Sequence, residues 1–361
     1  MKSFYLAIVG ALLAASSQVY AYPEMIRHAY TACTTCHISP DGGGLLSGYG
    51  RALSGEVLST WHTETEAEFL YGVVKTPEFL SFGGHFRAVQ TYINNDVIEQ
   101  GRFIFMQADL EAGVHVDKKF VFAGTFGYDD TSGKFVSRRH YLRYQPDLKS
   151  PLYVRAGRFY PSYGIHLPDH TVWIRSKLDW GLPLREPYTF EVSYLGAEYQ
   201  HILSGFVSRP DNSVTDSGVS LSGQMVLSKT AKAGVSAAYA ARLGQNRFLF
   251  GPNASIGFTP EFFLLTEIGA QRLSNMTTGI NTWSVYGYAR LDYEVYTGVH
   301  FYGVTEMGRS NLNTTPVSQG YGMGAQFFPR PHIELRAEYQ RQRGDRPLWS
   351  DVAWVMGYYY L

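Results

Sequence analysis

Cysteine is nearly absent from this 361-residue chain: Cys33 and Cys36 are the whole complement. Two thiols three residues apart cannot staple a fold, and a zinc site would need a second Cys or His pair at ligand spacing, which is missing. Charge is scarce too. Asp, Glu, Lys and Arg make up 17% of the residues, where about 25% is usual in a soluble domain. Basic and acidic residues balance, 31 against 31, which gives no ground for a nucleic-acid partner or for steering of charged ligands. Long apolar runs are lacking as well. After the first fifteen residues nothing approaches the roughly 20 needed for a transmembrane helix. Tyrosine (27), phenylalanine (22) and glycine (37) are abundant instead, a composition that suits a membrane protein built from strands.

From about Glu78 onward apolar and polar residues alternate with period two, broken by short turn-like clusters. Successive side chains of a strand point to opposite faces, so such runs predict strands with one apolar and one polar face. In RFIFMQADLEAGVHV, residues 102 to 116, one set is Ile104, Met106, Ala108, Leu110, Ala112, Val114 and Val116. The other is Phe103, Phe105, Gln107, Asp109, Glu111, Gly113 and His115. The same split sets Val285, Ala289 and Leu291 against Tyr286, Arg290 and Asp292, and Leu335, Ala337 and Tyr339 against Glu334, Arg336 and Glu338. Strands of a soluble sandwich usually run about 5–6 residues, whereas these reach the 9–11 or so that a tilted strand needs to cross a membrane.

A sheet in lipid must pair every backbone group and therefore closes. The expected fold is all-β: a transmembrane antiparallel β-barrel of about 16 strands over residues 78–361, in the bacterial outer membrane and in contact with its lipid. The runs extend from 80–93 to the aromatic-rich 350–361, which suits closure against the first. Asp109, Glu111, Arg139, Arg143, Arg155, Glu334, Arg336 and Glu338 are expected to face a wet interior as ladders of opposite charge. Residues 160–188 break the pattern with four prolines. A loop of nearly thirty residues is usually functional: it either folds inward as a constriction or covers the outer mouth. Asp169 and His170 within it are read as a solvated surface pair.

The chain opens MKSFYLAIVGALLAASSQVYA, with Lys2, an apolar run from Phe4 to Ala15, and permissive residues up to Ala21. That is the pattern of an export signal over residues 1–21, cleaved before Tyr22. The two cysteines follow in TACTTCHISPDGGG, residues 31 to 44. C-x-x-C-H is the attachment motif of a c-type haem. Thiols one helical turn apart can bond the two vinyl groups on one porphyrin edge, and the adjacent imidazole reaches the iron. Cys33 and Cys36 are thus read as thioether anchors of one covalent haem c and His37 as the proximal iron ligand. A thioredoxin-like redox pair would need a βαβ context that does not follow.

Residues 22–77 form the haem segment. They are too few to build a core unaided, and the haem gives them an apolar body to collapse on. The stretch 52–61, ALSGEVLSTW, is read as a short helix with Leu53, Val57, Leu58 and Trp61 to one side. His28 is the favoured distal ligand, with Met25 and His62 as alternatives and His85, on the first strand, as an outside choice. A second imidazole would hold the potential low and a methionine would raise it.

Cys33-Thr34-Thr35-Cys36-His37, the Pro- and Gly-rich run ending in Gly50-Arg51, and the order of signal, haem and barrel resemble the outer-membrane fused monohaem cytochrome–porins, whose best-known members are iron oxidases. The resemblance implies electron transfer across the outer membrane between an extracellular donor or acceptor and a periplasmic c-type cytochrome or other redox carrier. Fe(II) oxidation is the activity of those best-known members. The reading set against it is a diffusion porin or small-solute channel whose haem is structural or regulatory.

Overall fold

A computed structural model describes residues 23–129, 133–167, 172–181, 185–210, 215–345 and 348–361. The segment assigned to the export signal, and Asp169 and His170, lie outside the described residues. Sixteen antiparallel strands close into one barrel. In chain order they are β1 (Leu80–Asn94), β2 (Glu99–Val116), β3 (Phe120–Asp129), β4 (Lys134–Tyr144), β5 (Leu152–Arg158), β6 (Tyr188–Leu195), β7 (Tyr199–Val207) and β8 (Ser217–Ser228). The second half comprises β9 (Ala231–Arg242), β10 (Gln245–Gly257), β11 (Phe262–Asn275), β12 (Asn281–Tyr296), β13 (Val299–Arg309), β14 (Ser318–Phe327), β15 (Ile333–Arg343) and β16 (Trp349–Tyr360). Neighbours in sequence are neighbours in the sheet. β16 pairs with β1 from His85↔Tyr360 to Asn94↔Asp351, which leaves no free edge. These are the runs that period-two alternation marks out.

The burial pattern fixes the environment. Phe122, Phe190, Leu203, Leu221, Phe301 and Leu335 are exposed on the outside, whereas Glu191, Asp292, Arg290 and Glu267 are buried within. An apolar exterior around a polar interior is the pattern of a lipid-embedded barrel, and a closed barrel of this kind belongs to the bacterial outer membrane. Among the described residues no helix is long and apolar enough to span a bilayer, so the strands do the crossing. The turns at 229–230 and 297–298 are two residues long and lie at the end where β1 begins, while the 159–187 connection and the 208–216 connection lie at the other. Short turns face the periplasm. Aromatic pairs ring that end, among them Phe120 with Tyr144, ring centroids 4.9 Å apart, and Phe258 with Phe262 at 5.4 Å.

Inside, opposed charges do form ladders: Arg139 Nη2 lies 2.9 Å from Glu111, Arg155 Nη2 2.9 Å from Glu191, and Arg336 Nη2 3.0 Å from Glu338. One expectation is corrected. The alternation across residues 102–116 is not a single phase, because the pairing with β1 slips between Arg87 and Ala88, which skips Met106. The bulge turns Phe103 and Phe105 outward, both exposed, while Asp109 and Glu111 still face inward. A second slip, on β4 opposite Thr125 and Phe126, makes Arg138 the extra residue. It lets two consecutive arginines reach inward, Arg138 to Asp109 at 2.6 Å and Arg139 to Glu111.

The lumen is filled from both ends. The 23–77 segment enters from the periplasmic end and the wall grips it by main-chain carbonyls. Gln200 donates to Thr31 O (3.2 Å), Lys232 to the same oxygen (3.3 Å) and Arg143 to Ile38 O (3.1 Å). Arg27 pairs with buried Glu294 and donates to Pro260 O at 3.0 Å. From the other end the 159–187 connection folds inward rather than covering the mouth. It buries Trp173, Ile174, Leu178 and Trp180 against Phe206, Leu249, Tyr286 and Val304 of the wall.

Candidate functional site

Cys33 opens a short helical turn, Cys33–Thr35, in which Cys36 N and His37 N both donate to Cys33 O, at 3.3 and 3.0 Å. That turn brings the two thiols and the imidazole to one side of the backbone. The chain then doubles back. Ile38 N donates to Leu45 O (3.0 Å) and Ser47 N to Cys36 O (2.8 Å). The reversal needs left-handed backbone at Gly42, Gly43 and Gly44, with φ of +87°, +68° and +68°, which glycine adopts at no steric cost.

Helix α1 (Gly48–Leu53) follows, with Ser47 as its cap: the Ser47 hydroxyl accepts from Gly50 N at 3.1 Å and donates to Thr35 O at 2.7 Å. A Cβ at Gly50 would lie 2.4 Å from Cys36 O, so only glycine lets α1 pack on the motif. The helix thus begins earlier than the expected 52–61. Leu53 and Leu58 are buried, but Trp61 is exposed and lies over Phe327 instead.

Cys33, Cys36 and His37 line one cavity of about 340 Å³ inside the barrel, between the inserted segment and the 159–187 connection. Cofactor sites commonly measure about 300–1,000 Å³. Met25, Leu46, Leu53, Leu58, Leu167 and Trp180 supply apolar wall, and Arg87, Arg139, Arg175 and Lys232 supply cations. His37 Nδ1 lies 3.3 Å from Gly44 O. A proton on Nδ1 shared with that carbonyl sets the tautomer in which Nε2 is the ligating atom. Burial lowers the His37 imidazole to about 4, only partly offset by Gly44 O, so the ring is neutral at ordinary pH and suited to an iron.

Neither cysteine is in a disulfide. Burial pushes the Cys33 thiol up, opposite to the lowered value of a dithiol redox pair. Among the described residues no three His, Cys, Asp or Glu side chains are grouped to hold a bare metal ion. The residues present fit a haem: two thiols on the wall of a largely apolar cavity, a neutral oriented imidazole beside them, and cations for its carboxylates.

The other named residues separate. Met25 and His85 line the cavity; His28 and His62 do not. His28 sits near Glu294, His300 and Glu261 of the wall, where burial and then Arg27 lower it to about 4. His62 is exposed. His166, which sequence reading did not single out, lines the cavity from the 159–187 connection, and burial lowers it to about 4. Its only sequence signal was membership of the long interrupted loop.

No protein-family model matches the chain, and no curated protein matches it in sequence. Its fold does match solved outer-membrane barrels. The OmpT outer-membrane protein of Vibrio cholerae is 11% identical with a TM-score of 0.62, covering 80% of this chain and 100% of that one. The outer-membrane channel DcaP of Acinetobacter baumannii is 11% identical with a TM-score of 0.55, covering 78% and 97%. An anion-selective porin from Comamonas acidovorans is 9% identical with a TM-score of 0.59, covering 78% and 99%. The chain has the porin-type fold of the bacterial outer membrane.

Proposed function

We propose that the chain holds one haem c inside an outer-membrane barrel, as the fused cytochrome–porins it resembles do. It then passes electrons between a periplasmic carrier, such as a c-type cytochrome, and an extracellular donor or acceptor. One observation carries the reading: Cys33, Cys36 and His37 share the wall of a cavity within the lumen. The bound haem would supply a one-electron couple. Cys33 and Cys36 would tether it, His37, oriented by Gly44 O, would supply its imidazole to the iron, and Arg139, Arg175 and Lys232 would answer its negative groups. The apolar wall would keep water from it. Pro23 and Tyr30 line the cavity on the stretch that Arg27 pins to the periplasmic rim at Pro260 O, and this is where a carrier would dock.

A second reading, passage of small solutes, is favoured by the fold it shares with a solved channel and a porin. Against it, both bodies inside the lumen are bonded to the wall. Proteoliposomes separate the two. Electron transfer requires a haem-stained band, and external reductant must reduce a ferric acceptor trapped inside. A colourless protein that admits sugars freely establishes the channel and ends the electron-transfer reading.

A further inference from the structure

We propose that the sixth ligand of the iron is His166, delivered by the connection that folds into the barrel from the extracellular end. This assignment rests on the haem reading above.

The cavity sorts the possible donors. His28 and His62 do not reach it. His85 does, but both its ring nitrogens are engaged by the wall, Nδ1 with Tyr358 Oη at 2.5 Å and Nε2 with Glu111 Oε2 at 3.1 Å. Freeing either would unpair a buried group. Met25 is packed among Cys36, Leu53, Leu58 and Phe328 and is only 1% exposed. His166 differs from all of these. It is exposed into the cavity and makes no hydrogen bond among the described residues. Its ring comes over the motif's own loop, since a Cβ on Gly43 would stand 2.7 Å from His166 Nε2. Two imidazoles, His37 and His166, therefore share one cavity while belonging to segments that enter the barrel from opposite ends.

The position is built. On the residues just before it, Ile165 N donates to Glu267 Oε2 (2.8 Å) and Gly164 N to Ser236 Oγ (2.9 Å), which fixes the backbone that carries the ring to the barrel wall. Asp41, held by Arg155 at 3.1 Å, lines the same cavity as His166. A second imidazole rather than a thioether would hold the potential low. It would also make the extracellular loop part of the redox centre.

The test uses full-length protein purified from outer membranes of a host that matures c-type cytochromes. Haem-stained denaturing gels report attachment. Optical and paramagnetic-resonance spectra report ligation. We expect the wild type to be six-coordinate and low-spin and slow to bind CO. His166→Ala should keep its stained band, turn high-spin, bind CO within mixing time, and return to low-spin when imidazole is added. His166→Met should stay six-coordinate with its potential raised. Met25→Leu should change none of these. A low-spin spectrum unchanged in His166→Ala, or one lost in Met25→Leu, overturns the assignment while leaving the haem in place. A wild type without a stained band removes the haem reading itself, and this assignment with it.

Discussion

Arg155 ties the inserted segment to the barrel wall through several contacts at once. Its guanidinium lies 2.9 Å from Glu191 Oε1 and 3.1 Å from Asp41 Oδ1, donates to Ser39 Oγ at 2.6 Å, and stacks 3.7 Å from the Phe159 ring. Arg155 is 2% exposed and Glu191 0%. Arg155→Met keeps the bulk and removes the charge, leaving two carboxylates buried against each other. Breaking a buried pair this way costs about 3–5 kcal/mol, roughly two to three and a half orders of magnitude in the docking equilibrium of residues 31–45. Limited proteolysis of detergent-solubilised protein reads that equilibrium when opening is fast relative to cleavage. We expect cleavage in that stretch to rise by at least a hundredfold, with the barrel itself resistant.

A rescue follows from the same logic. Arg155→Met with Asp41→Asn and Glu191→Gln removes all three charges and should recover most of the loss. The pH dependence is also fixed by Asp41. Burial acts to raise its carboxyl, but Arg155 and its other partners hold it below the usual carboxylate range. A folded value below the unfolded one gives stability that is present above about pH 4 and lost only as pH falls through the folded value. Without the guanidinium, burial and the neighbouring Glu191 carboxylate push the Asp41 carboxyl up instead, so it takes up a proton more readily as pH falls, and the Arg155→Met effect should be largest at pH 8 and shrink towards pH 5. A cleavage increase below tenfold at pH 8, or one that grows as pH falls, would refute the argument.

His28 behaves in the opposite sense. Its folded value of about 4 lies below the ordinary 6.5, so the undocked state binds the proton first, and haem-free protein should lose docking as pH falls from 6.5 to 4; His28→Gln should flatten that slope in the same proteolysis assay. Gly50→Ala forces a methyl against Cys36 O, an overpacking of about 1–3 kcal/mol, and should lower the fraction of protein carrying a haem-stained band without lowering the amount of barrel in the membrane. Gly164 has φ +65° and its Cβ would meet Glu267 Oε1, so Gly164→Ala should release the inward connection; planar-bilayer recordings should then show a larger conductance than wild type, and an unchanged conductance would mean that the connection does not narrow the pore.

Period-two alternation made the barrel legible, because lipid outside and charge inside impose opposite preferences on successive residues of every strand. It misled at residues 102–105, where one bulge at Met106 reverses the phase without leaving a compositional mark. Arg138 and Arg139 are a similar case, since two adjacent inward arginines contradict strict alternation unless an extra residue is present. The cavity lining was legible only in part. Cys33, Cys36 and His37 stand together in the sequence and share its wall, but His28, nine residues from His37, is absent from the lining because Arg27 draws that turn towards Pro260 and Glu294 at the rim, whereas His166, 129 positions away, reaches the cavity through the lumen.

The packing of the lumen bears directly on which cargo the barrel can move. A solute must travel through continuous water, and here Trp173, Ile174 and Leu178 are buried against the wall from one end while Arg27, Arg143 and Arg155 fasten the other segment at its rim and flank. Moving both bodies aside to widen the lumen would break several buried charge-assisted bonds at once, each worth about 1.5–3 kcal/mol. An electron needs no such path. It needs a redox couple fixed between two faces, with rigid surroundings that change little on reduction, and on the proposed function the bonds that hold the two bodies to the wall would supply that rigidity. Loosening the lumen should therefore move the two activities in opposite directions. Gly164→Ala should gain conductance while slowing reduction of a trapped acceptor per stained haem, and a variant that gained in both would break the link between rigidity and electron passage.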